Sequence, residues 1–236
     1  GTPVTISEGE LGWSNTSLVF DGVNKFLYLH SHDPAPISLF GPHYDGKIQK
    51  IGLDGSIEIL PETILYAKGM KVDSATSHLY YTTDVSGGSS LPVGLFRSDL
   101  SGEDAVQLLE IEAGDISLAS NGDIYLIASS AAGRQREIVR LRPGEAEPQM
   151  ILQSEEVIQD LFVDRTTATL YWMTASGVSR ANLDGTNVQA VSSALLTAGG
   201  SQLVVAATVS NSAVTVTTPL AGLAVRAEEI TVESVW

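Results

Sequence analysis

Over residues 158–193 apolar and polar positions alternate in short runs: IQDLFVD, RTTATLYWMT, ASGVSRANLDG, TNVQAVSS. Phe162 and Val163 precede Asp164, and Leu170, Tyr171 and Trp172 begin six residues after it. The run 178–183 alternates again, and Leu183-Asp184-Gly185 turns the chain into 188–191. Short runs rich in β-branched and aromatic residues, broken by Asx-Gly chemistry, predict an antiparallel meander of four strands. One such sheet cannot bury both of its faces, so repetition decides the fold.

The pattern repeats. Its first turn recurs as Asp21 before Leu27-Tyr28, Asp73 before Leu79-Tyr80 and Asp164 before Leu170-Tyr171, with 120–125 (Ser-Asn-Gly-Asp-Ile-Tyr) a variant one residue shorter. Its second turn recurs at Leu53-Asp54-Gly55, Leu100-Ser101-Gly102, Arg142-Pro143-Gly144 and Leu183-Asp184-Gly185, with a fainter copy at Leu220-Ala221-Gly222. Positions 54, 101, 143, 184 and 221 are spaced by 47, 42, 41 and 37 residues. A period near 40–45 with four strands per unit predicts a β-propeller. The expected fold is all-β: a five-bladed β-propeller forming a single domain over 1–236, with four-stranded antiparallel blades at about 17–62, 69–110, 115–153, 158–193 and 194–229. Terminal strands 3–7 and 230–236 are expected to pair and close the ring, which removes the open sheet edge.

Tyr171-Trp172-Met173-Thr174, followed by Val178-Ser179-Arg180-Ala181-Asn182-Leu183-Asp184-Gly185, resembles the YWTD repeat of low-density lipoprotein receptor propellers. Tyr80-Tyr81-Thr82-Thr83-Asp84 is a second match. The resemblance implies the propeller fold and a protein–protein interaction platform.

Composition narrows the function classes. Twenty-eight acidic against 13 basic residues give a net charge of −15, which repels nucleic-acid phosphates and anionic lipid heads. No nucleic-acid partner is expected. No apolar run reaches the length of a membrane span. The absence of cysteine excludes disulfides, thiolate nucleophiles and Cys-ligated zinc. No Gly-x-Ser-x-Gly elbow and no phosphate-cradling Gly-rich loop is found, so no catalytic residue is assigned and no cofactor is expected.

The turns joining strands one to two and three to four are tight in every unit. The connections from strand two to three, and from unit to unit, are longer, and 31–46 is the longest. Binding surfaces use loops held by a rigid scaffold, so the face carrying these loops is the candidate site. Candidate ligand contacts there are Trp13, Asn15, His32, Asp33, His43, Tyr44 and Tyr66. His30, His32 and His43, beside Asp33 and Asp45, offer an imidazole–carboxylate metal site as an alternative to a polar loop rim. A second candidate set, Thr16, Lys68, Asp115 and Asp160, is expected at the innermost strands around the central channel. Acidic side chains gathered there hold a divalent ion in propeller lactonases, but Lys68 would oppose a cation. Tyr28, Tyr80, Tyr125 and Tyr171 occupy equivalent positions and are expected between blades, with Trp172 in the core.

Aromatic faces beside Asp, Asn and His suit sugar rings, which present C–H faces and hydroxyl edges together. The expected function is therefore a non-catalytic, lectin-like propeller, monomeric and secreted or extracellular, with a glycan or glycoprotein ligand. The alternatives are the YWTD-type protein platform and a metal-dependent, lactonase-like hydrolase.

Overall fold

The computed structural model describes residues 14–34, 44–61, 67–83, 92–129, 135–192, 206–207, 213–215 and 230–231. The chain divides into two compact units, Gly1–Ile116 and Ser117–Trp236. The first unit holds two sheets of four strands, ordered β1 (Ser14–Asp21), β2 (Phe26–Pro34), β3 (Tyr44–Gly52), β4 (Ile57–Ile59), and β5 (Ala67–Asp73), β6 (His78–Thr83), β7 (Gly94–Asp99), β8 (Val106–Leu109). The unit boundary falls within β9 (Ala113–Leu118), the first strand of a third sheet that continues through β10 (Ile124–Ser129), β11 (Gln135–Leu141) and β12 (Gln149–Gln153). A fourth sheet runs β13 (Asp160–Asp164), β14 (Thr169–Thr174), β15 (Gly177–Asn182), β16 (Gln189–Ser192). Each sheet is an antiparallel meander in sequence order.

The recurring aspartates are turn formers. Asp21 Oδ1 accepts the amides of Val23 and Asn24, and Asp164 Oδ1 accepts those of Thr166 and Thr167. Asp73 binds the Ala75 amide and the Thr76 hydroxyl in the same way. Each of these loops ends on a residue at positive φ: Lys25, Ser77 and Ala168. A side-chain acceptor that fixes its own backbone two or three residues on explains why Asp stands six residues before Leu-Tyr. The second turn uses another device. Gly55, Gly102 and Gly185 sit at φ 80–85° and donate to the carbonyls of Gly52, Asp99 and Asn182. The shortened first turn of the third sheet adopts this second device, with Gly122 at φ +85° bonded to the Ala119 carbonyl. That accounts for its missing residue.

The expected tyrosine positions hold for Tyr28 and Tyr125. Both are fully buried, and each donates its hydroxyl to a second-turn carbonyl of the next sheet, Tyr28 to Leu100 O at 3.2 Å and Tyr125 to Leu183 O at 2.9 Å. In the first unit Tyr28, Ile48, Met70, Leu79 and Tyr81 form one core, with Tyr81 stacked on Phe96. In the second, Tyr125, Ile127, Ile138, Leu161, Leu170 and Trp172 form another.

Three expectations need correction. The described residues contain four four-stranded sheets where five blades were expected. The remaining strands, β17 (Ala206–Ala207), β18 (Ala213–Thr215) and β19 (Ile230–Thr231), make a three-stranded sheet. The last sequence unit has Gly199-Gly200 where the first, second and fourth units carry the first-turn aspartates Asp21, Asp73 and Asp164, so it lacks that carboxylate acceptor; its Ala221-Gly222 retains only the second-turn glycine. Closure of the ring is not found among the described residues: β19 pairs with β18 inside its own sheet, and strand 3–7 lies outside them. The loop expected over 31–46 is also shorter. Ser31↔Lys47, His32↔Gly46, Asp33↔Asp45 and Pro34↔Tyr44 continue the β2–β3 ladder. Backbone hydrogen bonds extend a hairpin without apolar alternation in the side chains.

These turn carboxylates make the fold acid-sensitive. Burial opposes ionisation of Asp21 and Asp164, but hydrogen bonds from Asn24 and Ser74, and from Thr167 and Thr166, outweigh it and hold both below 3.8. Ser56, Ser101 and Thr186 lower Asp54, Asp99 and Asp184 in the same direction. The folded chain thus binds fewer protons than the unfolded one, and this stabilisation, complete above the ordinary value, is lost as pH falls through the lowered values. The buried phenols have the opposite sign. Burial, with the carboxylates of Asp21, Glu58 and Asp99 nearby, pushes Tyr28 up to about 12, and burial alone does the same for Tyr81. Their contribution is complete below 10.0 and lost as pH rises towards about 12. Urea midpoints followed across pH should be level near neutrality and fall below about pH 4 and above about pH 10. A midpoint unchanged from pH 7 to pH 3 would contradict this account.

Candidate functional site

Asn15, His32, Asp33 and Tyr44 are gathered at one end of the first sheet, where β1 begins, β2 ends and β3 begins. The register sets Ser14 opposite His32 and Asn15 opposite Ser31, with an irregularity between Asn15 and Ser17. His30 stands two positions before His32 on β2 and is fully buried, as a core histidine would be. Trp13, His43 and Tyr66 lie outside the described residues, as do the side chains of Asn15, His32, Asp33, Tyr44 and Lys68. Among the described residues no group of three His, Asp or Glu is placed to hold a metal ion.

The channel candidates fall at the corresponding ends of their own sheets: Thr16 in β1, Lys68 in β5, Asp115 in β9 and Asp160 at the start of β13. Asp115 is paired with a cation, Lys71, at 3.5 Å. Its Oδ2 is buried and has no hydrogen-bond partner among the described residues. Asp160 is buried, and its Oδ1 accepts the Leu161 amide at 2.8 Å. Lys71, three residues on from Lys68, reaches Asp115 from a strand of a different sheet, a pairing that sequence position alone does not reveal.

The second unit contains a cleft that the sequence did not point to. It has a volume of about 260 Å³ and opens where the connection from β12 to β13 meets the β14–β15 turn. These belong to the two loop classes expected to carry binding. Trp172, only 5% exposed, lines it and also belongs to the core, so its core assignment holds. Ser154, Thr174, Ser176 and Ser179 bring hydroxyls, Glu155 and Glu156 carboxylates, and Leu152 and Val188 apolar surface. Glu156 is fixed by the neighbouring turn: its Oε2 accepts the Ser176 amide at 3.1 Å and its Oε1 accepts the Ser176 hydroxyl. Hydrogen bonds from Ser176 and Thr174 hold the Glu156 carboxyl below its ordinary 4.5. The Glu156 amide donates to Ser154 Oγ at 3.1 Å. Polar residues at 153–156, a unit-to-unit connection, were the available signal. The pairing of Glu156 with a turn 20 residues away was not.

No family model matches the sequence, and no curated protein matches it. Solved structures do. The chain is similar to a chain in the crystal structure of a nidogen/laminin complex, with TM-score 0.61 and 15% identity over 78% of this chain; it spans 64% of that chain's length. It is also similar to a gluconolactonase of Xanthomonas campestris, with TM-score 0.63 and 13% identity over 89% of this chain and 71% of that one. The fold is a β-propeller. The sheets described above are its blades, and at this level of identity the likeness extends to the fold alone. Among the described residues no helix of the propeller is long and apolar enough to cross a membrane.

Proposed function

We propose that this propeller is a non-catalytic binding protein with a carbohydrate ligand, engaged at the ends of the blades where strand two passes to strand three. The observation that carries the reading is the cleft at Trp172. An indole, four hydroxyls and two carboxylates in a small concavity suit a ring that offers C–H surface and hydroxyl edges together. The same reading places the protein outside the cell, in keeping with the glycan or glycoprotein ligand. A metal-dependent hydrolase is less well supported, because Lys71 already occupies the field of Asp115.

A second reading, a platform for protein partners, has its own observation. Leu18 and Phe20 of β1 and Ile57 and Ile59 of β4 are each more than half exposed, and the register puts all four on one face of the first blade. They form two exposed apolar edges, separated on that face by the buried Leu29 and Ile51, and exposed apolar surface rimming a sheet face suits protein contacts. It lies on a sheet face and not at the loop ends.

A glycan array with and without chelator tests the first reading, using the full chain and Ser179→Tyr. Ser179 is the cross-strand neighbour of Trp172, so the larger ring would occupy the cleft. Retained stability with at least about tenfold weaker glycan binding is expected. Unaltered binding in the filled variant would remove the cleft from the site, and an array without signal would leave the protein platform ahead.

A further inference from the structure

We infer that the cleft at Trp172 selects a protonated amino sugar over the neutral or acidic sugar of the same ring, with Glu155 and Glu156 receiving the ammonium group. This deepens, and rests on, the reading of the cleft as a sugar site. Its lining contains two carboxylates and no Lys, Arg or His. The amide and hydroxyl of Ser176 hold the two oxygens of the Glu156 carboxylate, which orients it at the cleft. A carboxylate oxygen has two lone pairs, so each retains capacity for one more donor. The hydroxyls of a neutral sugar can donate to these carboxylates but carry no charge to oppose theirs, whereas an ammonium both donates and neutralises. The indole of Trp172 adds attraction for a cation. Uronic and sialic acids are repelled by the rim and by a chain of net charge −15. The volume, about 260 Å³, lies below the roughly 300 Å³ at which drug-sized pockets begin and suits a single sugar ring.

Glucose, glucosamine and glucuronate share one ring and differ at the group of interest. Titration of the full chain with each at pH 6, where the amine is protonated, can be followed by the indole N–H resonances. Trp172→Phe identifies the Trp172 signal. Glucosamine is expected to bind about tenfold more tightly than glucose, and glucuronate more weakly than either. In Glu155→Gln/Glu156→Gln the preference should vanish, the ratio of glucosamine to glucose affinity falling from about ten to about one whatever happens to glucose binding itself; circular dichroism verifies that this variant folds. Equal affinity for glucose and glucosamine at Trp172 would overturn the inference and leave the sugar reading standing. Butylammonium binding as tightly as glucosamine would overturn it by showing that the ring is not recognised. No shift of the Trp172 signal with any sugar would overturn both.

Discussion

Gly185→Ala should unfold this protein about 6–12 °C earlier than the parent, a loss of about 3 kcal/mol or more. Two effects add at this position. Gly185 has φ +82°, where a Cβ costs about 1 kcal/mol on the backbone alone. The new Cβ would also lie within 3.0 Å of Ile151 Cγ2 and 3.2 Å of the Ile151 carbonyl carbon, and closest to its carbonyl oxygen. Ile151 is the bulged residue of β12, anchored on both sides where Leu152 pairs with Ile138 and Met150 with Val139, so its backbone yields less readily than the end of a flexible side chain would. The turn is held from the other side as well, because Tyr125 donates to the carbonyl of Leu183. Gly144→Ala is the matching control. It has nearly the same φ, +80°, and nothing within 4 Å of the added Cβ. Only the backbone cost remains, about 1 kcal/mol, or about 2–4 °C. Thermal unfolding of the two variants checks the account. Equal losses would mean that the approach to Ile151 contributes nothing.

The same contrast shows what could be read in the sequence. Turn chemistry is local: Asp164 and the amides that donate to it lie within three residues, and a glycine at positive φ announces itself by type. The spacing of such turns was therefore enough to foresee four-stranded sheets in sequence order, and two of the four equivalent tyrosines, Tyr28 and Tyr125, lie where expected, whereas Tyr80 and Tyr171 are only half-buried and Tyr81 takes the core place in the second sheet. The last unit, with Gly199-Gly200 in place of the first-turn aspartate, kept only the second-turn glycine, Gly222, which by itself does not support a full blade. Features made by distant pairs were not legible. The Lys71–Asp115 ion pair joins strands of two different sheets, which no turn spacing reveals. The cleft depends on Glu156 reaching Ser176 across a strand and its neighbour, and 153–156 by itself reads as an ordinary polar connection. The loop over 31–46 was foreseen as the dominant site because length and histidines are visible in sequence; the continuation of the β2–β3 ladder through Pro34↔Tyr44 is made by backbone groups and is not.

Trp172→Ala is the other change with a large expected effect, and it acts on fold and site together. The side chain lies 5% exposed in a core with Leu161, Leu170 and Tyr125, so truncation removes a large apolar contact and opens a cavity. About 3–5 kcal/mol should be lost, seen as a fall of about 10 °C in the thermal midpoint. Loss of sugar binding in this variant alone would not distinguish a missing contact from a collapsed cleft. Trp172→Phe separates the two. It keeps an aromatic ring in the core and should cost only about 1–2 kcal/mol, so both proteins can be compared well below their midpoints. The phenyl ring still offers a face but loses the indole N–H and holds a cation more weakly, so affinity should drop several-fold without vanishing. An alanine variant as stable as the parent would contradict the core assignment. A phenylalanine variant with unchanged affinity would remove the indole from the binding site while leaving its place in the core intact.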